Sequence, residues 1–350
     1  MKNVLRWLLL AGLILTSIAF LYAKHETGVL WLVAALVGLL SFFTGVSLVL
    51  LKRRAPMARE LHERTVTWWW MCAVFLLALS IHRLVSFVFL GFLCFSALRE
   101  YFSLVPMEKP SERLTLTFKD RPAVMLCYLS IPAVIYLAYI KWYALFIIFV
   151  PVYVFLSVPI LFVLQNRTQG FLKSIGIIAI GLMLFVHNLG HCLFMINMGA
   201  MVLVYCFALT EIRDLVSFWI GKGLAVAGER TTGWLARVLT AKVAPDVSPR
   251  KTWATGILSA CLIAGLSVVF VPYMPAMPDG RLTPGYSVVI GLLIGLTGFF
   301  GDLVFSAVKR DIGVKDSGSM LPGHGGIIDR VDALVFTIPV TFHLLFWRYY

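Results

Sequence analysis

The chain has 350 residues, of which 60% are hydrophobic and only 13% charged, with a mean hydropathy of +0.91. That excludes a soluble globule, because so much apolar surface finds cover only in a bilayer; an all-helical polytopic membrane protein is expected. The net charge is +13, but its placement matters more than its sum, and membrane lipids rather than nucleic acid are the expected partner.

Lys2 and Arg6 precede the first apolar run, Met1 to Ala23. Leu21 stands where a cleavage site near Ala23 would need a small residue, so the run reads as a membrane helix and not a removed signal. A second run, Val29 to Leu51, follows, and residues 1–65 read as an N-terminal extension ahead of a main membrane domain, 66–350. Trp68 to Leu98 is too long for one crossing, and His82-Arg83 divides it into two short helices. Trp68-Trp69-Trp70 reads as an interfacial aromatic belt. A polar stretch, 99–121, carries Arg99, Lys109, Arg113, Lys119 and Arg121.

Further runs are Ala123 to Ile140, Trp142 to Leu164, Phe171 to Val186 and Leu189 to Leu209. After a polar segment, 210–251, come Thr252 to Val271, Tyr286 to Phe305 and Ile328 to Trp347. Each is near the roughly 20 residues a helix needs to cross the hydrocarbon, which makes about eleven spans. His187 and His191 have the i, i+4 spacing of metal ligands but lack the glutamate of HExxH, so a structural role is expected. The six cysteines lie in apolar runs without a CxxC pair and read as buried thiols.

With the N-terminus in the cytoplasm, only Lys24, Arg83, Lys141, Arg281 and Arg348 of the 30 basic residues fall outside. The opposite orientation would reverse that ratio, so the segments 210–251 and 306–328 are expected to face the cytoplasm.

The polar residues concentrate in one stretch, 301–332, which holds Asp302, Asp311, Asp316, Asp329 and Asp332 together with Lys309, Arg310, Lys315, Arg330 and a Gly-His-Gly-Gly turn. Charge of both signs at a membrane rim is expensive and is seldom kept without use. Carboxylates suit Mg²⁺, Lys and Arg suit phosphate, and glycines let backbone N–H groups approach an anion. Asp329 and Asp332 share a helix face and repel unless a cation lies between them. The bland alternative is a loop that holds lipid headgroups electrostatically.

From Ser306 through Lys309-Arg310, Lys315-Asp316, His324-Gly325-Gly326, Asp329-Arg330 and Asp332, the stretch resembles the signature of the phosphatidate cytidylyltransferases, or CDP-diacylglycerol synthases. Asp214-Leu-Val-Ser-Phe-Trp-Ile-Gly221-Lys222 resembles that family's D-x-x-A-Y-x-x-G-R/K element, and Ser248-Pro-Arg-Lys251-Thr252-Trp253 its S-P-K-K-T-W element. Arg99-Glu100-Tyr101 is similar to a Glu-aromatic segment after an early helix. One departure stands out. The family usually has Glu-Gly after the tryptophan, where this chain has Ala254-Thr255, and Glu211 is the nearest substitute.

The resemblance implies transfer of a cytidylyl group from CTP to phosphatidate or a related lipid phosphate, giving CDP-diacylglycerol and pyrophosphate. It implies Mg²⁺, as one or two cations, held by Asp302, Asp329 and Asp332. Lys309, Arg310, Lys315 and Arg330 would hold phosphates, with Ser306, Asp316 and His324 orienting them. Asp214, Ser248, Lys251, Gly325 and Gly326 would bind substrate. An integral protein of a bacterial inner or plasma membrane, its site facing the cytoplasm, follows from the same resemblance and is compatible with a homo-oligomer. Two other classes stay open: a lipid transporter or flippase, and a weakly catalytic scaffold of the same family, which Ala254 would allow.

Overall fold

A computed structural model of the chain describes residues 2–24, 27–54, 58–105, 116, 118–314, 316–318 and 325–350. The described residues form helices and no strands. Nine helical stretches among them are long and apolar enough to cross a bilayer: Arg6–Ala23, Thr27–Lys52, Arg83–Leu104, Arg121–Tyr139, Tyr143–Leu164, Phe171–Met195, Trp253–Tyr273, Pro284–Ile312 and Ile328–Tyr349. Two more helices, Ala58–Ser80 and Ala200–Arg230, are as long but carry charge within their length. The all-helical polytopic architecture is therefore as expected, while apolar length alone supports nine of the eleven expected spans.

The largest shift from the expected boundaries is in the middle of the chain. His187-Asn188 separates the two expected runs, yet the helix continues through it to Met195, with a π-helical turn at Leu182–Asn188. Gly190 has no room for a Cβ, which would run into Val186 O of the preceding turn and lie 3.3 Å from Val134, so the tight backbone requires glycine there. The chain turns instead at Gly199, whose φ of +127° only glycine adopts readily. From there one helix of 31 residues, Ala200–Arg230, runs past the expected end of the span and carries Arg213 and Asp214 on an unbroken backbone.

Small residues bring two helices of the site together. The missing side chain of Gly291 leaves room for Ile263 O and Ser267, and that of Gly295 for Ala260. Ser267 Oγ donates to Ser287 O at 2.7 Å and Ser287 Oγ returns a bond to Ser267 O at 2.9 Å. Within a bilayer such close backbone approach and reciprocal polar contacts replace the hydrophobic drive that lipid cannot supply. Helix 253–267 is thereby held along helix 284–312, and Lys251 comes beside Asp302.

The connections gather at two ends. At one end, Arg83 Nη2 donates to Tyr139 O and to Asn197 Oδ1 at 2.6 and 2.7 Å, Gly199 meets Pro275, and Asp279 N donates to Tyr349 O at 3.1 Å. The charged residues of the signature lie at the other. His187, His191 and His343 sit toward the first end, where His191 is fully buried against Phe146 and Phe342. Its Nδ1 lies 2.8 Å from His187 O, a packed and hydrogen-bonded position.

The first two helices pack on helix 58–80 around a small core of Leu10, Leu40, Trp69 and Ala73. Trp69 is therefore not an interfacial anchor: it is buried, and its Nε1 donates to Thr44 Oγ1 at 3.0 Å. Residue 65, the expected domain boundary, falls inside helix 58–80. A chain starting at Ala58 is expected to insert in the membrane but to lose thermal stability, since Trp69 then lacks both Thr44 and the edge contact of Trp7. Losing that bond and the surrounding burial costs on the order of a few kcal/mol. A melting curve in detergent unchanged from the full chain would show the two helices to be an independent anchor.

Candidate active site

Arg213 is the centre of the first charged group. The sequence Glu211-Ile-Arg213-Asp214 interrupts an apolar helix, and Arg213 ends fully buried with its side chain only 1% exposed. Gly298 makes this possible: a Cβ there would lie 2.9 Å from Arg213 Nη2 and 3.0 Å from Nε. Arg213 Nη1 donates to Asp302 Oδ2 at 2.7 Å, and Nη2 meets Asp214 Oδ1 at 2.6 Å. Lys251 Nζ reaches the same Asp302 Oδ2 at 3.1 Å and lies 5.4 Å from the centre of the Phe299 ring. A buried charge is tolerable only when compensated, and here two acids and two bases compensate each other.

Lys251 is delivered by a short pinned loop. Val243 N donates to Lys251 O and Trp253 N to Ala241 O, so the loop closes on itself before helix 253–267 starts. Thr252 caps that helix by accepting from Thr255 N. Ser248 lies on the turn that carries Lys251, its N–H given to Ala244 O.

The second group forms around Asp329. Its Oδ1 accepts from Lys309 Nζ at 2.7 Å. Its Oδ2 accepts from Ser317 N at 2.9 Å, faces Ser317 Oγ at 3.0 Å and accepts from Gly326 N at 3.2 Å. A second acid of this group, Glu100, arrives from helix 83–104. It accepts from Ile327 N at 2.7 Å and Ile328 N at 3.1 Å, and the Ser317 hydroxyl lies against its Oε1. The glycines of the turn are shaped by these acids. Gly325 has φ +81°, and a Cβ on it would lie 2.6 Å from Asp329 Oδ2; a Cβ on Gly326 would overlap Glu100 Oε1 and Ser317 Oγ. Both positions were expected to approach a substrate anion; in the fold the space beside them is filled by carboxylates.

Asp332 borders the first group, since Gly301, beside Asp302, has no room for a Cβ against Asp332 O. Its Oδ1 accepts from its neighbour Ala333 N. The expected metal ligands thus divide. Asp302 and Asp332 lie on adjoining backbones, whereas Asp329 is committed to Lys309, Ser317 and Gly326. Among the described residues no three His, Cys, Asp or Glu side chains converge as a metal-ligand group. The donor set still fits one hard cation in part: Asp302 takes both its partners on Oδ2 and Asp332 its one on Oδ1, which leaves an oxygen of each.

Of the other expected residues, Ser306 and Arg330 border these groups, whereas Arg310 and Asp316 are exposed. Ser306 is half-buried on helix 284–312, one turn beyond Asp302. Arg310 is exposed and turns back on Val314 O at 3.3 Å, satisfying the helix end. Asp316 is exposed, and its neighbour Ser317 takes the inward position. Arg330 is partly buried, with its Nε lacking a hydrogen-bond partner. Lys315 and His324 lie outside the described residues. Sequence reasoning missed Arg213 and Ser317 and gave Glu100 no role. For Arg213 a signal existed, a cation inside an apolar helix beside Asp214.

Fold and site together define a polytopic helical membrane protein with a layer of paired acids and bases drawn from three separated polar motifs. The chain belongs to the cytidylyltransferase family, whose model matches residues 62–347. It is 32% identical over 293 residues to the uncharacterized protein YnbB of Escherichia coli (strain K12), covering 82% of this chain and 87% of that one. It is also 38% identical over 129 residues to a phosphatidate cytidylyltransferase of Rickettsia bellii, covering 36% of this chain and 53% of that enzyme. A phosphatidate cytidylyltransferase of Synechocystis is 34% identical over 152 residues, 42% of this chain and 44% of the relative. The match thus spans about half the length of these two enzymes.

Proposed function

We propose that the chain transfers a cytidylyl group from CTP to a lipid phosphate, with phosphatidate as the first acceptor, giving CDP-diacylglycerol and pyrophosphate. One observation carries this reading. Three motifs far apart in sequence meet around Asp302, and the meeting leaves cationic N–H groups without aligned acceptors: Arg213 Nε, Lys251 Nζ and Arg330 Nε. Buried donors of that kind are costly unless an anion completes them, and phosphate oxygens are suitable partners. The names of the Rickettsia and Synechocystis relatives support the choice of nucleotide and lipid.

In this reaction an oxygen of the lipid phosphate attacks the α-phosphorus of CTP, and the bond to the β-phosphate oxygen breaks to release pyrophosphate. Little covalent chemistry is asked of the protein; positioning and charge neutralisation do most of it. Lys251, Arg213 and Arg330 bind phosphate oxygens, and Lys309 is held in place by Asp329. Asp302 and Asp332 would hold Mg²⁺, which supplies neutralisation of the phosphate charge when bound. The test is an assay of purified protein with labelled CTP, Mg²⁺ and a panel of lipid phosphates. CTP-dependent pyrophosphate release with at least one of them is expected, and none with any would overturn the enzyme reading in favour of a transporter or scaffold.

The same reading requires the site to face the cytoplasm, because CTP does not cross a bilayer. Asp246 and Asp279 are both exposed, on the site-side loop and on the opposite end. In a background lacking the six native thiols, Asp279→Cys should label with an impermeant maleimide in intact cells. Asp246→Cys should label only once the membrane is opened. The reversed pattern would separate the site from its nucleotide.

A further inference from the structure

We propose that Glu100, on a helix more than 200 residues away in sequence, is the positioning residue that latches the signature loop and so sets Asp329 and Lys309. The role rests on the cytidylyl-transfer reading only for its consequence in activity; the latch itself stands on geometry.

Both oxygens of Glu100 are used, one on Ile327 N and the other on Ile328 N and the Ser317 hydroxyl. These two N–H groups open the short helix Ile328–Val331, which carries Asp329 and Arg330, and helix-opening N–H groups have no partner within their own helix. A carboxylate accepting them fixes the start of that helix against helix 83–104. Ser317 then joins the two acids. Its hydroxyl has one proton and stands against both Glu100 Oε1 and Asp329 Oδ2. Asp329 Oδ2 also accepts from Ser317 N, so Ser317 ties the two acids together through its amide and its hydroxyl. The result is a chain of contacts, Glu100 to Ser317 to Asp329 to Lys309, across three helices and the loop between two of them.

The loop's glycines fit the same account. Gly318 lies 3.5 Å, by its missing Cβ, from Glu100 Cδ, and Gly326 abuts Glu100 Oε1. Among the described residues Glu100 reaches none of the cationic groups assigned to phosphate, so the effect on transfer proposed for it is indirect.

The test compares Glu100→Ala, Glu100→Gln and the wild-type chain in lipid nanodiscs by amide hydrogen exchange and by kinetics. In Glu100→Ala, exchange at Gly326, Ile327 and Ile328 should rise at least tenfold. Turnover should fall at least tenfold while the KM for CTP moves less than threefold. Glu100→Gln keeps the shape and one acceptor oxygen and should fall between, which also covers the case in which alanine prevents folding. Gly326→Ala should cripple the wild-type chain and do less added harm in the Glu100→Ala background. Unchanged exchange at the three amides overturns the latch, as does an equal penalty from Gly326→Ala in both backgrounds. Faster exchange with full turnover overturns the positioning role. If the wild-type chain transfers nothing, the proposed function falls while the exchange comparison still decides the latch.

Discussion

Arg213→Met should destabilise the folded protein by about 3–5 kcal/mol, the range seen when one partner of a buried charge group is removed. Arg213 is fully buried and touches two carboxylates, Asp302 and Asp214. Without it Asp302 keeps Lys251, while Asp214 keeps no cation and must draw on water through its 40% exposed side chain. The space that Gly298 leaves for the guanidinium would be only partly filled by methionine, adding a packing loss. Arg213→Lys should be milder, because one ammonium can reach one acid but not fork between two. Thermal melting of purified protein reads the effect directly. A melting temperature within a degree of wild type for Arg213→Met would mean that the two acids do not depend on this cation.

Asp302→Asn and Asp332→Asn should each lower transfer by about 100- to 1000-fold with the protein still folded, the usual cost of removing one charge that stabilises a transition state. Asparagine preserves shape, so both variants should insert; Asp332→Asn should melt close to wild type, whereas Asp302→Asn leaves Lys251 without its anion and Arg213 with Asp214 alone, and should melt lower. If these acids hold Mg²⁺, both variants should also need more of it for half-maximal turnover. Asp329→Asn should behave differently. Its loss touches Lys309, Ser317 and Gly326, so turnover and the order of the loop should fall together. Near-normal turnover of either Asp302→Asn or Asp332→Asn at saturating Mg²⁺ would remove both acids from the cation reading.

The amino-acid sequence by itself determined the membrane class, the helical architecture and, through its motifs, the family. Apolar runs of about 20 residues have one stable form in a bilayer, and a charge-dense stretch such as 301–332 in so apolar a chain has few reasons to exist. It singled out Asp214 and Lys251 for substrate and Asp302 for a metal, and the fold brings these three together around Arg213. Tertiary structure alone decided the partners. A helix does not say in sequence which neighbour it packs on, so neither Glu100 meeting Ser317 nor Arg213 entering the gap at Gly298 could be read from spacing. The same reason divided the expected metal trio. Asp329 and Asp332 share a face in sequence, but the loop folds back on Asp329 with Ser317 and Gly326, while Asp332 stays beside helix 284–312. Trp69 was misplaced for a related reason. An aromatic cluster at a membrane edge and one buried between helices have the same composition, and only the packing of Thr44 against its ring nitrogen separates them.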